Sequence, residues 1–403
     1  MSREARPTPR FFHGWYIVFI AFCGYFITAG TSGYTFGQFI NPLSLAFGWT
    51  VGFVSSMTFT RALTSIVCTP LVGHITDRIG SRPVMLVGVV LGGGAFIAAS
   101  LIADPILFYI VFTVVAALGY AMLGGIPSQA AITHWFRRRR GMALALATTG
   151  ISVGGLVMVP LAQWSLDNMG WRFTLAAIGV GIFFVMLAPV FLFMRDTPEQ
   201  MGLVPDGELP SPPAPLPIGE RGDPTAERTW TSREVLRSSN FWKQAVGYMF
   251  AFGMLQVTLV YQFPVISSRG FDNATAALLV SLYALCAALS RFLWGYLADK
   301  GDVNRVAVVS IWVAAIGVGL LIVANDLAGM ALYAIVGGTG ISGLAALQTI
   351  VTAQSFGRRS FGTVAGLLNP MNQIAGALAV PFTGYLFDQT HTYNLALGII
   401  GVL

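Results

Sequence analysis

The stretch PLVGHITD, residues 70–77, sets a spacing that returns at PLAQWSLD (160–167), FLWGYLAD (292–299) and PFTGYLFD (381–388). Each copy closes an apolar run on an aspartate. Asp77, Asp167, Asp299 and Asp388 stand 90, 132 and 89 residues apart. The middle interval is about 42 residues longer than the others, room for a linker. Gly141 and Gly362, Gly155 and Gly376, and Pro160 and Pro381 are each 221 residues apart. The chain therefore reads as a duplicated half, each half itself a duplication.

The runs between these markers are long and oily. Of the 403 residues 55% are hydrophobic and 10% charged, and the mean hydropathy is +0.71. Soluble domains carry roughly 25% charged residues, and a helix of about 20 apolar residues crosses a bilayer. Barrel strands would alternate apolar and polar residues, which these runs do not. The fold class is an all-α polytopic membrane protein with twelve spans. They are expected near 14–40, 50–74, 83–103, 106–133, 141–165, 172–194, 242–267, 274–297, 305–324, 327–352 and 362–386, with a shortened twelfth from 393. The apolar run after the basic N-terminus is too long for a signal peptide and reads as span 1.

Numbering the loops alternately places 19 of the 23 Lys and Arg on one side. Only Arg172 and Arg269 fall on the other, and Arg61 and Arg291 lie within spans. That asymmetry puts the N-terminus in the cytoplasm of a plasma membrane, or inner membrane in a bacterium. It also accounts for the basic balance without nucleic acid. LPSPPAPLP (209–217) cannot be helical, so the expected division is 1–194, a cytoplasmic Pro-rich linker 195–240, and 241–403. Spans 2 and 8 end in the cytoplasm and spans 5 and 11 outside. Three-helix units of opposite orientation are inverted repeats, the architecture of alternating access around a midplane site.

Several motifs mislead. GISVG (150–154) fits a nucleophile elbow and GTGISG (338–343) a dinucleotide loop, but both lie inside spans without a preceding strand. They read as small-residue helix packing, and no enzyme is expected. Cys23, Cys68 and Cys286 have no paired spacing, and the four histidines show no metal-ligand spacing. No cofactor is implied.

All 17 carboxylates lie at span ends, in loops or in the linker. The interior thus holds two arginines and no acid to neutralise them. A mid-span Arg costs about 2.5–3.5 kcal/mol on insertion scales and cannot shed its proton. It needs a water-filled cavity, backbone carbonyls or an anion. Arg291 lies eight residues before Asp299, about 12 Å along a helix, near the midplane. Arg61 lies sixteen residues before Asp77, about 24 Å, in the outer half; snorkelling outward and lining a vestibule both fit it. Neutral groups that could complete a pocket are Tyr25, Tyr34, Tyr120, Gln256, Tyr261, Tyr283, Asn369, Asn372 and Gln373. The last three share a helix face. Packing or helix–helix bonding fits each tyrosine as well as contact with a substrate.

GHITDRIGSR (73–82) resembles the loop 2–3 signature of the major facilitator superfamily, Gly-x-x-x-Asp-Arg-x-Gly-x-Arg, and GYLADKGDVNR (295–305) is a weaker copy. HGWYIV (13–18), WFRRRRGMALA (135–145), RDTPEQMGLVPDG (195–207) and FGTVAGLLN (361–369) resemble the bacterial branch related to monocarboxylate transporters and oxalate/formate antiporters. The resemblance implies a secondary transporter for a small organic anion, with a span-8 Arg four residues before a Gly binding the carboxylate. Arg291 and Gly295 match that placement. It also implies that Gly73, Asp77, Arg78, Arg82, Gly295, Asp299 and Lys300 gate the cytoplasmic seam. The animal carriers' acidic residue four before that Arg is Ala287 here, and span 1 has no Lys. Where oxalate/formate members carry a span-11 Lys, this chain offers Asn369, Asn372 and Gln373. Protons as the coupling ion are therefore open. A monomer in contact with membrane lipid is expected. The rival readings are an exporter of hydrophobic or zwitterionic solutes, with Arg291 structural, and a sensor that kept the fold.

Overall fold

The computed structural model describes residues 12–136, 139–204, 230–356 and 361–402. Among them all regular structure is helical. Span 1 is Gly14–Tyr34, continued by Phe36–Phe47; spans 2, 3 and 4 are Val51–Ile79, Ser81–Leu101 and Pro105–Trp135. Spans 5 and 6 run together from Arg140 to Phe193, separated at Gly170, whose φ of 79° is not helical. Spans 7 to 11 are Ser239–Ser268, Asn273–Lys300, Val303–Val323, Leu327–Phe356 and Phe361–Thr390, and Asn394–Val402 begins a twelfth. The order and number match the expectation from the repeats.

Side-chain caps place the span starts. Thr50 accepts from Phe53 N at 3.2 Å, Asp104 from Leu107 N at 2.7 Å and Asp272 from Thr275 N at 3.1 Å. Each satisfies a donor that the first helical turn leaves free. The two arginines of the Lys/Arg-poor end serve the opposite role. Arg172 donates to Ser100 O (3.0 Å) and Ile102 O (2.9 Å) past the end of span 3. Arg269 donates to Ile322 O at 2.6 Å and to Ala324 O beyond span 9. Cations suit these carbonyls because the helix dipole ends negative there.

At the Lys/Arg-rich end the string that begins at Arg195, after span 6, is a clasp within the first half. Asp196 accepts from Arg82 N at 3.0 Å, at the start of span 3. Arg82 Nη2 donates to Phe191 O at 2.7 Å, and its guanidinium lies 5.4 Å from the Phe191 ring. Trp135 Nε1 donates to Arg195 O at 2.9 Å. Gly80, with φ of 89°, turns the chain beside this carboxylate. An added Cβ there would lie 2.6 Å from Asp196 Cγ. Gly80→Ala is expected to destabilise the protein by about 1–3 kcal/mol, combining a left-handed alanine with a steric clash, read as a lowered melting temperature in detergent.

Most of the expected linker 195–240, including 209–217, lies outside the described residues, as do Arg137 and Arg138. Its far end returns as the helix Ser232–Arg237, opened by a capping box of Thr231 and Glu234. Val235 is fully buried in a cluster with Phe241, Phe356, Val364 and Leu368.

The repeats decide how the halves meet. Span 2 packs along span 11, and span 5 along span 8. These are the four spans that carry the recurrent spacing. At the Lys/Arg-poor end they are in close contact. A Cβ on Gly384 would lie 2.8 Å from Gly52 Cα. At the other end Gly295 has open space around it, and Gly73 would meet only Ile126 of its own half, at 3.7 Å. Asp77 and Arg78, which the resemblance places in the cytoplasmic gate, are both exposed, and neither has a hydrogen bond or ion pair among the described residues. Lys300 Nζ bonds Tyr296 OH at 2.5 Å within its own helix. The Asp299 side chain lies outside the described residues.

Candidate functional site

Span 1 is not α-helical throughout. At Gly30–Tyr34 it widens into a π-helical turn, a feature that often marks functional sites. This turn lies on the side of span 1 that meets Arg61. Thr31 Oγ1 shares a short hydrogen bond with Tyr120 OH, and the Tyr120 ring lies 5.8 Å from the Arg61 guanidinium. Ser32 and Gly33 line a cavity of about 360 Å³ between the halves. Tyr34 packs against Gly155 of span 5.

Arg61 is the charged group of that cavity. Its side chain is 9% exposed, so it lines the vestibule and does not snorkel outward. The guanidinium lies 5.8 Å from the Phe36 ring and 5.6 Å from the Phe112 ring, as well as beside Tyr120. Aromatic faces attract a cation without neutralising it. Its Nη2 is buried without a hydrogen-bond partner. The described lining contains no Asp, Glu, Lys or His. Around Arg61 the first half contributes Thr58, Ser65, Thr69 and Tyr120, and the second half Gln256 and Gln373. The two glutamines are exposed to this space, and neither has a protein hydrogen bond among the described residues.

Arg291 stands elsewhere on the same interface. Its Nη1 donates to Thr148 O of span 5 at 2.9 Å, and it is not among the residues lining the cavity. The cation that sequence reasoning placed at the centre is thus tied to a main-chain carbonyl of the opposite half. The one it left between two positions is at the centre.

The remaining candidates divide. Tyr120, Gln256 and Gln373 join Arg61 in the cavity. Tyr25 accepts from Gln129 Nε2 at 3.0 Å, a helix–helix bond. Tyr283 is fully buried, its ring stacked 5.7 Å from Tyr333. Asn372 is buried and donates to Gln348 Oε1 at 3.1 Å, while Asn369 on the same helix is exposed. Tyr261 OH lies 2.6 Å from Ser55 Oγ and 2.9 Å from Val380 O, bridging the halves. Thr58, Ser65 and Thr69 were missed. They recur with Arg61 at helical spacing, a hydroxyl stripe on one face of span 2 that could have shown which way the arginine points.

Twelve spans in paired inverted repeats, with an interior cavity on the interface between the halves, define a membrane carrier. The chain belongs to the Major Facilitator Superfamily, which residues 18–380 match. It is 27% identical to human monocarboxylate transporter 11 over 350 residues, 83% of this chain and 69% of that protein. It is 25% identical to bovine (Bos taurus) monocarboxylate transporter 13 over 405 residues, 100% of this chain and 89% of that one. Among solved structures, the nucleoside transporter NupG superposes with a TM-score of 0.75 at 10% identity, over 96% of each chain. A bacterial homolog of the human lysosomal transporter Spinster, in an inward-facing conformation, gives 0.71 at 17% identity, over 96% of this chain and 84% of that one.

Proposed function

We propose that this protein moves a small organic anion, a monocarboxylate, across a plasma membrane by alternating access, with its Lys/Arg-rich end in the cytoplasm. One observation carries the reading. Arg61 is a permanent cation in a cavity between the halves, with a buried amino group unpartnered and, among the described residues, no carboxylate in the lining. A guanidinium in that condition suits a carboxylate, which it binds through two parallel hydrogen bonds. The names of the relatives agree with this cargo.

In this reading Arg61 anchors the anion and Gln256 and Gln373 complete the pocket from the other half. Arg291 is the second cation, holding the Thr148 carbonyl in the conformation described and free to exchange it for the cargo as spans 5 and 8 move. The rival reading, export of a hydrophobic or zwitterionic solute, is favoured by the Arg291–Thr148 bond, since it makes that arginine structural. It leaves Arg61 without an occupation.

Competition in proteoliposomes separates the two. Carboxylates are expected to inhibit uptake of a labelled monocarboxylate, and their uncharged amides to inhibit at least tenfold less, since a buried charge pair is worth about 2 kcal/mol or more. Equal competition by acids and amides would remove the anion from the proposal. Arg291→Ala run beside it reports whether the second cation acts on binding: unchanged uptake would confine that arginine to the span 5–span 8 seam.

A further inference from the structure

The recurrent spacing ends on four aspartates, and the resemblance to the superfamily gives work only to the pair at the Lys/Arg-rich end. The other pair, Asp167 and Asp388, is where the structure is closed. Asp388, at the end of span 11, reaches the first turn of span 2 in the opposite half. Its Oδ1 accepts from Val51 N at 3.0 Å and its Oδ2 from Gly52 N at 2.8 Å. Thr50 takes the third amide of that turn from within the helix, at Phe53. The N-terminus of span 2 is thus capped partly by its own residue and partly by the other half of the molecule. Two charge-assisted bonds at a positive helix end make a strong tie.

The backbone is shaped around this tie. A Cβ on Gly52 would lie 2.7 Å from Asp388 Oδ2 and 3.0 Å from Tyr385 N. One turn deeper, Tyr261 OH meets Ser55 Oγ at 2.6 Å, again across the halves. The other inverted pair repeats the device in weaker form. Asp167 Oδ1, at the end of span 5, accepts from Asn273 Nδ2 at 2.9 Å, and Asn273 is the first residue of span 8.

We propose that Asp388 is the latch of the outer gate: its carboxylate holds the outer ends of spans 2 and 11 together, and the bonds to Val51 and Gly52 break when the carrier opens outward. When the spans part, both amides and the carboxylate turn to water. An interaction made in only one of two states biases the equilibrium toward that state. Asp388 therefore sets how much of the protein waits with its cavity open to the cytoplasm. The inference concerns the carrier cycle and holds whatever the cargo.

The test uses the full chain with Cys23, Cys68 and Cys286 replaced by serine and a single reporter, Leu259→Cys, in the wall of the central cavity. A membrane-impermeant maleimide is applied to right-side-out and to inside-out vesicles. Asp388→Ala is expected to raise the labelling rate from the outer side at least about tenfold, the lower limit for losing even one charge-assisted bond, and to lower it from the cytoplasmic side. Gly52→Ala, which keeps the carboxylate but forces the spans apart, is expected to move both rates the same way. It decides the matter should Asp388→Ala fail to reach the membrane. Rates unchanged from both sides in the variants that insert would overturn the latch.

Discussion

Arg61→Ala is expected to raise the half-saturation concentration for a carboxylate by at least about 30-fold while leaving the protein as stable as before or more so. The first half follows from the site. If the cargo's charge is met by this guanidinium, removing it leaves a desolvated carboxylate without a partner, a loss of about 2–5 kcal/mol. The second half follows from the membrane. Burying the cation costs about 2.5–3.5 kcal/mol, and the three aromatic rings around it return about 0.5–2 kcal/mol. Nothing else among the described residues repays the difference: its Nη2 has no partner. Arg61→Leu should therefore melt at or above the temperature of the unaltered protein while losing affinity as Arg61→Ala does. Arg61→Lys keeps the charge but not the planar fork, so its affinity should fall between the two. Uptake kinetics in proteoliposomes and melting curves in detergent read both quantities. A variant that melts far lower and transports poorly would mark Arg61 as a structural residue, and full uptake by Arg61→Leu would dismiss it from binding.

That opposition of stability and function explains what could be read from the chain. Charge placement is a one-dimensional property, so the absence of an interior acid was visible, and with it the two arginines. Which of them faces a cavity depends on rotation about the helix axis and on the path of its neighbours. Span 1 carries a π-turn at Gly30–Tyr34 that no residue preference announces, and Ser32 and Gly33 of that turn line the cavity that holds Arg61. The fold was legible for the opposite reason. The spacing at 70–77, 160–167, 292–299 and 381–388 marks spans 2, 5, 8 and 11, which pack in the pairs 2 with 11 and 5 with 8. A repeat written in the sequence had to become a symmetry in space. What the repeat could not tell was which pair of aspartates would be engaged. That is a property of the conformation: Asp388 is bonded and Asp77 is exposed.

The same distinction, between contacts that make a half and contacts that close one half on the other, predicts two glycine variants of opposite character. Gly340 in span 10 packs on span 9; an added Cβ would overlap Ala314 N and lie 2.6 Å from Ala314 Cα. Both partners are backbone, and they belong to one half. Gly340→Val is expected to cost about 3 kcal/mol or more, the upper range for overpacking, and to appear as loss of folded protein in detergent. Gly37, in the continuation of span 1, meets span 7 of the other half, where an added Cβ would overlap Val260 O and lie 3.3 Å from Pro264 Cδ. On the proposed alternating-access cycle the crowded partners part each time the carrier opens outward. Gly37→Val can fold with the outer ends separated, so it should melt near the unaltered protein yet lose most of its uptake, because the closed-outside state is denied to it. Gel filtration, melting and uptake on the two variants side by side test the point. If Gly37→Val unfolds as Gly340→Val does, the span 1–span 7 contact belongs to the permanent core, and the outer ends of those spans do not open.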